Sequence, residues 1–191
     1  MTRKLAREKR VEDILEAAVE VFVARGYEGA SMDAIARQAG LTKGGIYHHF
    51  SGKDEIFLAA NDLFMEPIHR MIAQAMEQGN PRNGLRSFLV AYFQWWKDHP
   101  CDIAFVILTL YKALLKPDYW PEMSRYTEEM TAFYKHMLET AVVHGEANPM
   151  RDVDSRAFAL LGAVDGLATY AVMDPTQTAE DCADKLLRAF L

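Results

Sequence analysis

The stretch Leu41-Thr-Lys-Gly-Gly-Ile-Tyr-His-His-Phe50, followed by Ser51-Gly-Lys-Asp54, decides how the whole chain is interpreted. It predicts a short helix capped by Thr42, although two adjacent glycines each cost a helix interior roughly 1 kcal/mol relative to alanine. Close approach of the backbone to a large ligand is the usual reason for such glycines. Lys43 and Tyr47 are four residues apart and therefore share one face. A glycine-smoothed face that carries Lys, Tyr and His fits DNA.

A second helix precedes this stretch, and the spacing of small residues between the two predicts a helix-turn-helix. Ser31 is placed to cap the first helix, Ala36 allows the two helices to touch, Gly40 makes the turn and Ile46 fills the joint. Lys53 lies in the first turn of the following helix, where its charge opposes the helix dipole. A nearby phosphate would explain that position.

Charge is distributed unevenly along the 191 residues, whose net charge is −6. Residues 1–53 hold 9 Lys and Arg against 7 Asp and Glu, which gives +2, and residues 54–191 hold 12 against 20, which gives −8. A slightly basic N-terminal part followed by an acidic remainder fits a DNA-binding module joined to another domain. The hydrophobic content of 50% predicts a substantial core and argues against disorder.

The rest of the sequence has helical periodicity and no convincing strand pattern. Gly26 sits where a helix C-cap glycine belongs, residues 79–84 predict a loop, and Pro67 predicts a kink or break. The predicted fold class is therefore all-α. We expect an N-terminal three-helix helix-turn-helix domain over residues 1–53 and a C-terminal helical bundle for ligand binding and dimerisation over residues 54–191.

Aromatic and methionine side chains are dense in the middle of this bundle. They offer more aromatic surface than packing needs, and methionine adapts to varied shapes, so we expect an apolar or aromatic small-molecule effector there. A plain hydrophobic core is the alternative explanation of the same pattern. The residues expected to line the ligand site are Tyr92, Trp95, Trp96, Phe105, Tyr111, Trp120, Met123, Tyr126, Met130 and Phe133.

Residues 157–173 predict a helix that is apolar on nearly every face and carries one charge, Asp165. A helix that is apolar all round must be buried all round. Together with the apolar stripe of the last helix it has too few partners within one chain, so we expect a two-fold homodimer, with Gly162 and Gly166 allowing close approach. The expected interface residues are Ala157, Leu160, Leu161, Val164, Leu167, Cys182, Leu186 and Phe190.

The run from Ser31 to Phe57 closely resembles the TetR family of bacterial transcriptional regulators. The elements Thr42-Lys-Gly44, Ile46-Tyr-x-x-Phe50 and Lys53 carry most of the resemblance, which covers about residues 10–60. It implies a homodimeric regulator, usually a repressor. In that family the recognition helix enters the major groove of double-stranded operator DNA, and a small molecule bound in the body releases the DNA.

Matching this chain to the family pattern places several residues against DNA. Tyr47 and Lys53 match the usual phosphate contacts, and the other matched residues lie on or beside the groove-facing helix. An inverted-repeat operator follows from the implied two-fold symmetry. The residues expected to bind DNA are Ser31, Thr42, Lys43, Gly44, Tyr47, His48 and Lys53.

Two other classes of protein were weighed against a regulator. The sequence does not support an enzyme, because it has no G-x-S-x-G, phosphate-loop or H-E-x-x-H motif. It does not support a metal site either, because no further ligand lies at metal-binding spacing from His48-His49. We therefore expect no catalytic residue, no cofactor and no metal. A ligand-free DNA-binding or protein-interaction module is the other alternative. The distant Cys101 and Cys182, the charged N-terminus and the lack of a long apolar span predict a cytoplasmic protein that is not membrane-bound.

Overall fold

The computed structural model describes residues 2–116, 120–149 and 151–191, with side chains described from residue 6 onward and outside 117–123 and 150. Within these residues the chain forms helices and no strand, which confirms the all-α prediction. In chain order the helices are α1 (Thr2–Gly29), α2 (Met32–Gln38), α3 (Lys43–Tyr47), α4 (Lys53–Met76), α5 (Pro81–Asp98), α6 (Pro100–Leu115), α7 (Trp120–Val143), α8 (Val153–Met173) and α9 (Ala179–Phe190).

The helices group into two compact units. The head unit consists of Met1–Glu66 and Cys101–Glu122, and the body unit consists of Pro67–Pro100 and Met123–Leu191. The chain remains helical through Pro67, so the break expected there does not occur, and the boundary between the units falls at this proline. The units differ from the two predicted domains because the first half of α4 and all but the first residue of α6 group with the N-terminal helices.

Aromatic packing explains why α6 belongs to the head unit. The ring of Phe105 lies 5.1 Å from that of Phe57 and 6.2 Å from that of Phe22, and the rings of Phe22 and Phe57 are themselves 5.1 Å apart. All three side chains are almost completely buried. Phe105 therefore belongs to the core of the head unit. Tyr111, further along α6, is exposed.

The body unit begins α5 earlier than the sequence pattern predicts. Asn80 caps the helix by accepting a hydrogen bond from the Asn83 backbone N–H at 2.8 Å, and Pro81 occupies the first helical position. Gly84 is helical, and a Cβ there would lie 2.5 Å from the Ala75 carbonyl oxygen. This glycine serves close packing between helices. Four of the six residues of the predicted loop, 81–84, therefore form the first turn of α5.

Of the described helices, α8 is long and apolar enough, by length and composition alone, to cross a membrane. The core helix of a globular protein passes the same test, and six residues of α8 are buried within the chain. This feature is therefore weak evidence for a membrane span. The two cysteines are free thiols, with Cys182 buried and Cys101 half-buried.

Candidate nucleic-acid interface

The helix-turn-helix is built from α2, a glycine turn and α3. The Ser31 hydroxyl caps α2 by accepting a hydrogen bond from the Ala34 N–H at 3.2 Å. Gly40 has φ +66°, and the next N–H, that of Leu41, donates to the Ala36 carbonyl at 2.8 Å. This hydrogen bond closes the end of α2 in the manner of a Schellman motif, in which glycine takes the left-handed conformation. The predicted turn at Gly40 is confirmed.

One buried side chain holds α3 to the head unit and leaves its other face open. Ile46 is completely buried, whereas Lys43, Tyr47 and His48 are exposed, Tyr47 by 48%. The Thr42 hydroxyl caps the helix by accepting a hydrogen bond from the Gly45 N–H at 3.1 Å. Since all of these residues lie within one short segment, the structure brings the predicted basic and aromatic side chains onto one accessible surface.

The two adjacent glycines of α3 have different surroundings. A Cβ built on Gly44 would meet no atom within 4 Å, and the residue is exposed. A Cβ on Gly45 would lie 3.3 Å from the Thr42 hydroxyl oxygen, next to the cap. The fold of the described chain therefore does not require glycine at position 44. An external surface that approaches the backbone would require it.

An acidic residue of α2 lies against the predicted base-contacting lysine. The Lys43 ammonium is 3.2 Å from Asp33 Oδ1 and 3.3 Å from Asp33 Oδ2. Both side chains are more than half exposed, so the ion pair is weak and open to competition from phosphate. Asp33 also lies in the first turn of α2, where a negative charge interacts favourably with the helix dipole.

Lys53 points toward the end of α1 in this structure. Its ammonium donates hydrogen bonds to the carbonyl oxygens of Tyr27 at 2.9 Å and Ala30 at 3.4 Å, and it lies 4.4 Å from the Tyr27 ring centroid. Gly26, with φ +67°, interrupts the helical conformation just before these carbonyls, as its sequence position predicts. The carbonyls at a helix end need donors, and this gives Lys53 a structural role in addition to the predicted phosphate contact.

Lys112 of α6 is a buried cation that sequence analysis missed. It is 4% exposed, its ammonium lies 3.3 Å from the Tyr27 ring centroid, and it donates a 3.3 Å hydrogen bond to Glu28 Oε1. That hydrogen bond, followed by the charge of Lys112, lowers the pKa of Glu28. The one signal in the sequence is the position of this lysine among the apolar residues of α6.

The paired histidines do not form a metal site with other side chains in the described part of the chain. His48 is exposed and His49 half-buried, with their rings 5.5 Å apart. Burial lowers the pKa of His49, followed by the charge of His48. No group of three or more His, Cys, Asp or Glu side chains among the described residues is placed to hold a metal ion.

In the body unit, the residues expected to bind ligand form part of an aromatic core. Tyr92, Trp96, Met130 and Phe133 are buried, and Trp95 and Tyr126 are half-buried. The expected residues Phe105 and Tyr111 belong to the head unit. The side chains of Trp120 and Met123 lie outside the described residues.

A polar cluster lies within this aromatic core. Asp165 Oδ1 accepts hydrogen bonds from the hydroxyls of Tyr92 and Tyr126, both at 3.0 Å, and the two hydroxyls are 3.4 Å apart. Loss of hydration raises the pKa of Asp165 to about 6, and the two hydrogen bonds oppose this shift. Asp165 was noted in the sequence as the single charge of an apolar helix, which was the signal for a buried partner.

Most residues expected at the dimer interface are core residues of a single chain. Six are buried, and only Leu167 and Phe190 are half-buried. The reason is that α8 packs on α5 and α9, so its aliphatic stripe is covered within the body unit. These buried side chains are therefore not accessible to a partner chain in this structure. The six buried residues are Ala157, Leu160, Leu161, Val164, Cys182 and Leu186.

Residues 14–60, which include α2, α3 and the start of α4, match the family model described as bacterial regulatory proteins, tetR family. This segment of the chain belongs to the TetR family. The matched segment contains the capped α2, the Gly40 turn and the exposed face of α3, so the family assignment coincides with the geometry described above.

The relatives differ in how much of this chain they align with. The transcriptional activator FasR of Mycolicibacterium smegmatis is 39% identical over 93 residues, which are 48% of this chain and 42% of FasR. The chain thus matches less than half of that relative's length. The regulator PksA of Bacillus subtilis is 28% identical over 183 residues, 95% of this chain and 87% of PksA.

A solved structure of AibR, described in complex with isovaleryl coenzyme A and operator DNA, shares the overall fold. It has a TM-score of 0.76 and 25% identity, and the alignment covers 95% of this chain and 97% of AibR. The alignment includes the helices that follow the matched N-terminal segment, so the structural similarity is not confined to the helix-turn-helix.

Proposed function

We propose that the chain is a DNA-binding transcriptional regulator that binds an inverted-repeat operator as a homodimer and responds to a small molecule held in its body unit. One observation carries this proposal. The outward-facing Gly44 lies beside exposed Lys43 and Tyr47, on a helix anchored from behind by Ile46. Family membership supports it, as does the description of AibR in complex with operator DNA.

In this proposal α3 enters the major groove. Lys43 leaves its exposed ion pair with Asp33 and donates to base edges, where lysine commonly pairs with the acceptors of guanine. The Tyr47 hydroxyl, which has no hydrogen-bond partner among the described residues, contacts phosphate. Gly44 brings the backbone close to the DNA. Ser31, Thr42 and His48 are exposed beside this surface, and Lys53 keeps its hydrogen bonds to the carbonyls of α1 when DNA binds.

Selection of duplexes from a randomised DNA library, followed by binding titrations with purified protein, tests this assignment. Lys43→Ala is expected to relax preference at one base pair by about 1–3 kcal/mol, because one base contact is lost. Tyr47→Phe is expected to weaken binding to all DNA sequences by the same factor. Lys185→Ala, an exposed lysine of α9, is the matched control and leaves binding unchanged. Full affinity in a Lys43→Ala, Tyr47→Phe double variant contradicts the assignment.

For the dimer, the exposed face of α8 supplies the contact surface. Phe158, Tyr170 and Met173 are 61%, 68% and 69% exposed, and with Gly162 and Gly166 they follow one another at steps of four or three residues. They therefore lie along one side of the helix. A Cβ at either glycine would meet nothing within 4 Å, so a second helix can approach closely there. A two-fold contact through this face would set two recognition helices about 34–36 Å apart.

Sedimentation velocity at micromolar concentration tests the dimer. Tyr170→Glu places a charge in the proposed contact and is expected to give a folded monomer that has lost operator affinity. Val143→Glu changes an equally exposed apolar residue at the end of α7 and serves as the control. A monodisperse wild-type monomer contradicts the proposal.

Repression released by effector is the proposed direction of control, in a protein of the cytoplasm. An effector can shift operator affinity only if it prefers the conformation with wrongly spaced head units. Effector and operator must then weaken each other by the same factor. Operator titrations at increasing effector, and effector titrations at saturating operator, measure both factors, and unequal factors contradict the mechanism. AibR is described with isovaleryl coenzyme A, so that compound is the first to test.

A further inference from the structure

The polar cluster of the body unit contains an acid without a cationic partner. Two tyrosine hydroxyls donate to Asp165 Oδ1, and neither donates to Oδ2. No described Lys, Arg or His side chain lies within ion-pair distance of this carboxylate. Asp165 is half-buried. A charged group that has lost part of its hydration and has no cationic partner costs free energy, so a ligand that brings a positive charge would offset that cost.

A second oxygen in the same core, the Tyr134 hydroxyl, is also available to accept a hydrogen bond. The Tyr134 side chain is completely buried, and its hydroxyl has no hydrogen-bond partner among the described residues. Burial raises the pKa of Tyr134 well above its ordinary value, with smaller contributions from Tyr126 and then Asp165, so the hydroxyl stays neutral and lies within electrostatic range of the carboxylate. Buried hydroxyls nearly always have a partner in native structures.

Aromatic rings pack against the rings of Tyr92 and Tyr134. The Tyr92 ring lies 5.7 Å from the Trp96 ring and 5.7 Å from the Phe88 ring, and Phe88 lies 5.9 Å from Tyr134. The face of an aromatic ring attracts a cation, most strongly for tryptophan. A carboxylate that is hydrogen-bonded to tyrosines of an aromatic cluster therefore favours a ligand whose apolar part packs on the rings and whose cationic group faces the acid.

We infer that the Asp165 carboxylate and the Tyr134 hydroxyl anchor the protonated amine of an aromatic or alkyl effector, an inference that rests on the effector site proposed above. An ammonium group has three donors and no acceptor, which matches two open oxygen acceptors. An alcohol supplies one donor and no charge. A carboxylic acid or a coenzyme A thioester would add negative charge to a sequence region, residues 54–191, that already holds 20 Asp and Glu against 12 Lys and Arg.

Calorimetric titration of the full-length protein at pH 7.5 with two matched series tests this inference. The first series is biphenyl-4-ylmethylamine, the corresponding alcohol and biphenyl-4-carboxylate, and the second is decylamine, decanol and decanoate. Each amine is expected to bind at least about tenfold more tightly than its alcohol, as a charge-assisted hydrogen bond implies, and the acids are expected to bind most weakly.

Variants test whether the preference for an amine depends on the Asp165 carboxylate itself. Asp165→Asn keeps the side-chain shape and is expected to lower amine affinity to that of the alcohol, whose affinity stays within about twofold. Glu180→Gln, an exposed acid of α9, is the control for general charge and leaves the preference unchanged.

Several results would overturn the inference. They are equal affinity for amine and alcohol, no measurable amine binding in either series, tighter binding of isovaleryl coenzyme A than of both amines, or an unchanged preference in Asp165→Asn. Operator binding is measured on the same preparation. Intact operator binding together with failed amine recognition rejects only this inference, whereas loss of operator binding in the unliganded wild type rejects the proposed function.

Discussion

The head and body units place their polar side chains in opposite ways. In the head unit Lys43 and Tyr47 are exposed around an open glycine, and the segment that positions them is only a few residues long. In the body unit Asp165 and Tyr92 meet inside an aromatic core, although 73 residues separate them in the chain. Residues close together in the chain place the polar side chains of the head unit on its surface, whereas the fold gathers those of the body unit from distant positions into its core.

The largest expected effect is a pH dependence of the free energy of unfolding that comes from Asp165. Its pKa is about 6 when folded against an ordinary 3.8, so between these values the folded chain holds a proton that the unfolded chain has lost. The free energy of unfolding should fall as pH rises from about 4 to 6, by at most about 3 kcal/mol. Asp165→Asn should remove that fall, as measured by urea unfolding at several pH values. The facing hydroxyls of Tyr92, Tyr126 and Tyr134 have raised pKa values and stay neutral there.

The difference between the variant and wild type isolates this contribution from other carboxylates. Asp184, whose pKa is lowered chiefly by its hydrogen bond with Arg86, should give the opposite slope in both proteins. Parallel curves for wild type and Asp165→Asn would show that the acid of the body unit is not held in a dehydrated site.

The next largest effect is expected on operator affinity, from a substitution at Gly44, the glycine of the head unit with open surroundings. Gly44→Leu should reduce operator affinity by about 100-fold, roughly 2.7 kcal/mol, because the side chain would occupy the space that the DNA backbone or base edges need. The melting temperature should not fall, since a Cβ there meets no atom of the chain within 4 Å. Gly79→Leu, at an exposed glycine with equally open surroundings, is the control. Unchanged operator affinity in Gly44→Leu would argue against contact at this position.

Lys53→Met distinguishes a structural from a DNA-binding lysine. The ammonium donates to two carbonyls at the end of α1, so its loss should lower the free energy of unfolding by about 1–2 kcal/mol. Urea unfolding measures this cost, and the salt dependence of operator binding should keep its slope. A slope that falls by about one unit with unchanged stability would return Lys53 to the phosphate role that the family resemblance implies.

The smallest expected effect comes from the acid beside Lys43. Asp33→Asn should raise operator affinity about two- to fivefold at low salt, because it frees Lys43 from an exposed ion pair and removes a negative charge near phosphate. Titrations at low and high salt should show the gain shrinking as salt rises. A loss of affinity would mean that Asp33 orients Lys43 for binding.

Local signals explain what could be predicted from the sequence. The caps at Ser31 and Thr42, the turn at Gly40 and the helix end at Gly26 depend on residues within a few positions of each other, and the structure confirms them. The all-α fold follows from periodicity in the same way. The role of Gly84 could not be inferred because its neighbours, Ala75 and Met137, become close only through packing.

Tertiary packing also explains the remaining differences. An apolar stripe indicates burial but not by which partner, so Leu160 and Leu186 were expected at a dimer interface although they are buried within the chain. Phe105 was expected beside ligand for the same reason, and it packs in the head unit instead. The lone charge of α8 marked Asp165 in the sequence, but its two tyrosine partners come from α5 and α7.

The most direct test of the central claim is the salt dependence of binding to a selected inverted-repeat duplex by wild type, Gly44→Leu and Lys43→Ala. Wild-type protein is expected to bind tightly and to weaken steeply as salt rises. Gly44→Leu is expected to lose much of its affinity without losing stability, and Lys43→Ala to show relaxed preference at one base pair. A wild-type protein that selects no sequence, or variants that bind the selected duplex as wild type does, would contradict the claim that the exposed face of α3 reads DNA.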